Sequence, residues 1–197
     1  MRETARVGAE RENQALASSP RVTPVTSTPE TVYHFSEDGS VDRFAPHVPP
    51  TNPGHPPAVW AMDAEHEPLY WFPRHCPRIS VWSYDERQQT VLRSTFGTDA
   101  TRICAAESGW LDRIRVAQIY RYAFDGAQFE PWADADGQYI ASETVYPERV
   151  EPLDDLLGLH AAAEVELRFT PMLGTLMDAV VASGLPFSFV RIRDARR

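Results

Sequence analysis

The chain has 197 residues, of which 43% are apolar and 11% aromatic, and a formal net charge of −9. That composition belongs to a globular protein with a sizeable core; no apolar run approaches the roughly 20 residues that cross a bilayer. The acidic balance opposes binding along a nucleic-acid backbone, which needs a basic face.

Residues 1–30 are polar, rich in Ser, Thr and Pro, and lack periodicity, so they read as a disordered tail. They contain no apolar stretch of the kind a secretory signal carries. The folded part is expected over residues 31–197. Thr31–Phe35 reads as a strand. Pro46–Pro57 is a proline-rich loop, because proline fixes φ and removes ladder donors. Ala58–Met62 is a short apolar strand. Asp63 is placed to cap a short helix running to Leu69–Phe72, with Glu65 and Glu67 in its first turn and Pro73 as its stop. Arg78–Tyr84 and Arg102–Ala106 read as strands, Gly109–Arg115 as one or two helical turns, and Ala117–Phe124 as an alternating strand.

Tyr139–Ser142 and Thr144–Val150 look extended. Leu153–Ala163 shows 3/4 apolar spacing, Val165–Thr170 reads as a strand, and Met172–Ser183 as an amphipathic helix closed by Gly184. Leu185–Ile192 is the last strand. Short strands with scattered helices predict a single compact α+β domain with a mixed, mostly antiparallel sheet and short helices. The two cysteines, Cys76 and Cys104, are too few for a disulfide framework and read as reduced thiols of a cytoplasmic protein.

Site-bearing residues concentrate between Val32 and Tyr84. His34 and Ser36 alternate on one strand face, a spacing suited to hydrogen-bonding the hydroxyls of a sugar-like ligand, while Tyr33 and Phe35 point to the core. Asp63 sits where a strand gives way to a helix. Arg74 and Arg78 flank Cys76 in a proline-braced turn that could grip a carboxylate or phosphate, and whose cations would favour a thiolate. The histidine and cysteine spacings match no metal-ligand pattern. Glu143 lies between two extended segments, where a carboxylate can stabilise a developing cation.

From VYHFSED through FPRHCPR to FSFVRIRDA, the chain resembles a family of uncharacterised bacterial proteins. Its members share a His-x-Ser strand and a Pro-Arg-x-Cys-Pro-Arg turn. More distantly, an early His strand, an aromatic pair and a late Glu resemble ADP-ribosyltransferase folds. That resemblance implies NAD as cofactor, with His34 on the ribose, Tyr70 or Trp71 against nicotinamide, and Glu143 stabilising the ribose cation. Two other readings stand beside it. One is a small-molecule enzyme or binder using His34, Asp63, Arg74 and Arg78. The other is a non-catalytic interaction module.

Overall fold

A computed structural model of the protein describes residues 28–48 and 54–196. The tail expected at the N-terminus lies outside the described residues up to position 27, as do positions 49–53 of the proline-rich loop. In chain order the elements are β1 (Thr31–Ser36), β2 (Val59–Met62), a 3-10 helix (Ala64–Tyr70), β3 (Arg78–Trp82), α1 (Glu86–Phe96), β4 (Arg102–Glu107) and α2 (Leu111–Val116). There follow β5 (Ile119–Asp125), β6 (Glu130–Pro131), β7 (Gln138–Ala141), β8 (Arg149–Leu153), α3 (Leu156–Ala162), β9 (Glu166–Thr170), α4 (Gly174–Ser183) and β10 (Phe187–Val190). The chain is α+β, with mostly antiparallel strands divided between two sheets. Its residues group into two compact units: one runs through Arg74 and resumes over Ala117–Asp155, and the other takes His75–Val116 and Leu156 onward.

The first unit is built on a six-stranded sheet of order β6-β7-β2-β1-β5-β8, antiparallel throughout. The β1–β5 ladder runs unbroken from Thr31↔Asp125 to Ser36↔Tyr120. Because side chains alternate along a strand, this register puts Val32, His34, Tyr122 and Phe124 on one face. The core lies there: Val32, Val59, Ala61, Tyr122, Phe124, Tyr139 and Ala141 are all buried. Burying each of the larger ones contributes about 1.5–3 kcal/mol. Tyr122 can be fully buried because its hydroxyl donates to the Asp38 carbonyl (2.6 Å) and accepts from Val41 N–H (3.2 Å). The core is thus on the His34 side of β1, opposite to the side the alternation alone suggested.

Tyr33 and Phe35 face the 3-10 helix instead. Asp63 caps that helix, accepting from His66 N–H at 2.9 Å, and Pro68 lies inside it. Phe35 stacks parallel to Tyr70 with centroids 6.4 Å apart, and Arg121 lies over the Tyr33 ring at 5.2 Å. The sheet's outer strands each carry a proline, Pro131 in β6 and Pro152 in β8.

The second unit has a four-stranded sheet of order β10-β3-β4-β9, in which only β4 and β9 run parallel. Ile79, Val81, Ile103 and Ala105 meet Leu92 of α1 and Val180 of α4 in its core. Asp85 caps α1 by accepting from Gln88 N–H (2.7 Å), and Gly97 ends it at φ 66° with its N–H on the Arg93 carbonyl. Gly184 ends α4 in the same left-handed conformation, as its sequence position suggested. The opposite face of β3 is buried as well, although it carries Arg78 and Ser80.

Candidate functional site

β1 and β2 pair in register at Tyr33↔Met62. Further along, the Trp60 carbonyl is occupied by the His34 imidazole, with Nδ1 at 2.8 Å. Just before β2, Ala58 exchanges backbone hydrogen bonds with His47 rather than with β1. The two strands therefore part like a fork, and His34 stands in the opening. A carbonyl oxygen only accepts, so Nδ1 carries the proton and a neutral ring presents a lone pair at Nε2. Burial is the main cause that depresses the His34 pKa, and the nearby His47 and Arg74 side chains depress it further. Half-buried, neutral and fixed in one tautomer, this imidazole can accept a proton or a hydroxyl hydrogen bond.

The surroundings of the fork come from several segments. Phe44 packs on the His34 ring at 4.9 Å and exchanges backbone hydrogen bonds with Val145 (2.9 and 3.0 Å). Arg74 is exposed, and its backbone N–H is held by Glu37 Oε1 at 3.0 Å, just past the end of β1. Ser36 accepts from Asp38 N–H through its hydroxyl (3.1 Å). Glu143 is exposed two residues before Val145, so its chain segment runs beside Phe44 on the His34 side. Tyr70, stacked on Phe35, lies on the opposite side of β1, and its hydroxyl accepts from Gln138 Nε2 at 3.2 Å. Trp71 follows it, half-buried, at the end of the same helix. The aromatic pair and His34 therefore do not share a face.

Asp63 has a second task besides capping. Its Oδ1 lies 2.7 Å from His66 Nδ1, and His66 is buried. Arg78 belongs to the second unit, where it is buried and donates to the Cys76 carbonyl at 3.2 Å. Cys76 is not activated: burial pushes its thiol up to about 12, outweighing the opposing pull of Arg78 and Arg113. The expectation that flanking cations would favour a thiolate fails because a fully buried sulfur loses more by desolvation than they return. Among the described residues no group of three or more His, Cys, Asp or Glu is placed to hold a metal ion.

Three features of the first unit were not visible in the sequence. Arg121 bridges buried Glu67 (3.0 and 3.2 Å) and Glu151 (2.6 and 3.0 Å). Burial raises the Glu67 pKa although Arg121 opposes it, while Arg121 holds the more exposed Glu151 below the usual range. The His47–Ala58 bridge depends on a chain reversal that no local motif marks. His55, Trp60 and Trp132 meet ring to ring, with the Trp60 indole N–H buried and without a hydrogen-bond partner among the described residues. In the second unit, a shallow groove between Phe96 and Met172 contains Arg168, but Glu166 (2.6 Å) and the Phe96 carbonyl (2.7 Å) already occupy that guanidinium.

No helix among the described residues is long and apolar enough to cross a membrane. No curated protein and no solved structure matches the chain. A model of a family of unknown function, DUF6886, matches residues 33–195, which includes both the His34 strand and the Pro73–Arg78 turn. The chain belongs to the DUF6886 family.

Proposed function

We propose that the fork between β1 and β2 is the ligand site of a small-molecule enzyme or binder. Its ligand carries a hydroxyl, which donates to His34 Nε2, and an anionic group, which faces Arg74 and His47. The observation that carries this reading is the His34 ring: its Nδ1–H is held by the Trp60 carbonyl, so its free lone pair is aimed away from the backbone. Ser36, two residues on, offers a further hydroxyl on the same face.

A narrower reading is ADP-ribosyl transfer from NAD, with His34 on the ribose and Glu143 stabilising positive charge at the ribose carbon. One observation favours it: Phe44 packs on His34 and pairs with Val145, which draws the Glu143 segment toward His34. Tyr70 does not support it, being stacked on the far side of β1; Phe44 or the half-buried Tyr120 would have to serve as the aromatic wall.

Calorimetry of the full chain with NAD, ADP-ribose and inorganic phosphate tests both. The first reading expects at least one to bind, with affinity falling by about tenfold or more in His34→Gln and in Arg74→Ala, the loss of a hydrogen bond to a charged or polar ligand group. Binding that is the same in both folded variants, or no binding at all, overturns it. The narrower reading also requires nicotinamide release that disappears in Glu143→Ala while NAD binding persists.

A further inference from the structure

We propose that His55, Trp60 and Trp132 form a second binding site, an aromatic corner that takes an organic ammonium ion. The rings come from three segments of the first unit: the end of the loop before β2, β2 itself, and the turn after β6. The His55–Trp132, Trp60–Trp132 and His55–Trp60 centroids are 4.8, 5.3 and 5.6 Å apart, and the planes cross at 53°, 67° and 77°. Three mutually steep planes at such separations make a corner rather than a stack. All three rings remain half-buried rather than sealed in the core. The face of an aromatic ring is the negative lobe of its quadrupole, so a cation in the corner lies within about 6 Å of several such faces.

The charges around the corner match that occupant. Cross-strand register places Trp60, Ile140 and Glu130 in one row, so Glu130 shares the face of Trp60. Trp132 opens a turn that its N–H closes on the Gln138 carbonyl (2.8 Å), and that turn carries Asp134. Glu130 and Asp134 are both exposed and have no ion-pair partner among the described residues. The stretch from Gly126 to Ala141 contains no arginine to neutralise them, and the whole chain contains no lysine. The ammonium group therefore comes from another molecule. An alkylated ammonium fits best, because its methyl groups lie against the rings while its charge is met by the two carboxylates.

Tryptophan fluorescence of the full chain, titrated with tetramethylammonium chloride against sodium chloride at equal ionic strength, reads the site. A saturable change with tetramethylammonium alone is expected. It should weaken about three- to fivefold in a Glu130→Gln, Asp134→Asn double variant and vanish in Trp132→Ala. Should Trp132→Ala fail to fold, the double variant still decides, since it leaves every ring in place. An equal response to both salts, unchanged affinity in the double variant, or equally tight binding of neutral tert-butanol overturns the proposal. Given tetramethylammonium binding, a short peptide carrying one trimethyllysine sorts the source. Tighter binding than the free ion assigns the site to a protein partner, and binding no tighter assigns it to a small ammonium compound.

Discussion

Replacing Arg121 with methionine keeps an apolar stem and removes the charged head together with its hydrogen bonds to Glu67 and Glu151. In the native chain one guanidinium nitrogen reaches both oxygens of Glu67, at 3.0 and 3.2 Å, and the Glu67 side chain is only 4% exposed. Stranding a buried carboxylate costs about 3–5 kcal/mol where the pair is fully enclosed. Arg121 is 26% and Glu151 33% exposed, so solvent screens part of the loss and about 2–3 kcal/mol is expected. For a chain of this size that lowers Tm by roughly 4–12 °C, readable by calorimetry or circular dichroism. The pH dependence carries the sharper test. Because burial raises the Glu67 pKa, the fold favours its neutral form. That contribution is complete below the usual value of 4.5 and is lost as pH rises through the folded value. Arg121 restrains the rise, so without it more is lost at neutral pH. Glu151, held low by Arg121, contributes stability above 4.5 that is lost on acidification, and the variant forfeits this too. Both effects make the variant's deficit largest near about pH 8 and smaller near about pH 5, and Glu67→Gln should recover much of it. An equal deficit at both pH values, with no recovery by glutamine, would refute the account.

Three further outcomes follow from the geometry. His34 has a depressed pKa, so its neutral form supports the fold above the ordinary value of 6.5, and that support is lost as pH falls through the folded value; in His34→Gln, urea midpoints should therefore change less between about pH 7 and about pH 5 than in the native chain. Cys76, buried and with its thiol pushed up to about 12, should resist alkylation by iodoacetamide in the native protein at neutral pH and react only after denaturation, as mass spectrometry would show. Gly137 adopts φ 69°, and a Cβ there would run into the His66 ring; Gly137→Ala should destabilise by about 2 kcal/mol or more in urea titrations, and a neutral result would mean the ring can move aside.

Strand alternation and end signals were legible where one physical term dominated. The Asp63 cap, the strands at β1, β2, β3, β5 and β9, and the Gly184 terminus all follow from local chemistry. Helix α1 was missed because ERQQTVLRSTF presents few apolar residues, and its Asp85 and Gly97 ends were the only available signals. The Leu153–Ala163 spacing extended one turn too far: Leu153 belongs to β8, and α3 begins at Leu156 after Asp155 turns at φ 49°. Alternation placed His34 opposite Tyr33 and Phe35 but could not say which face would be covered. That depends on β5, more than 80 residues away, supplying Tyr122 and Phe124 to the His34 side. The same non-local pairing brought His47 to Ala58 and Arg121 to Glu67, which no nearby residue in the sequence announces.

Pro131 and Pro152 sit at opposite margins of the six-stranded sheet. A ring nitrogen has no hydrogen to offer an incoming chain, so neither border presents a complete row of donors for another molecule to zip onto. Addition of a further strand is thereby disfavoured at both margins, although the sheet's interior is rich in tyrosine, phenylalanine and valine.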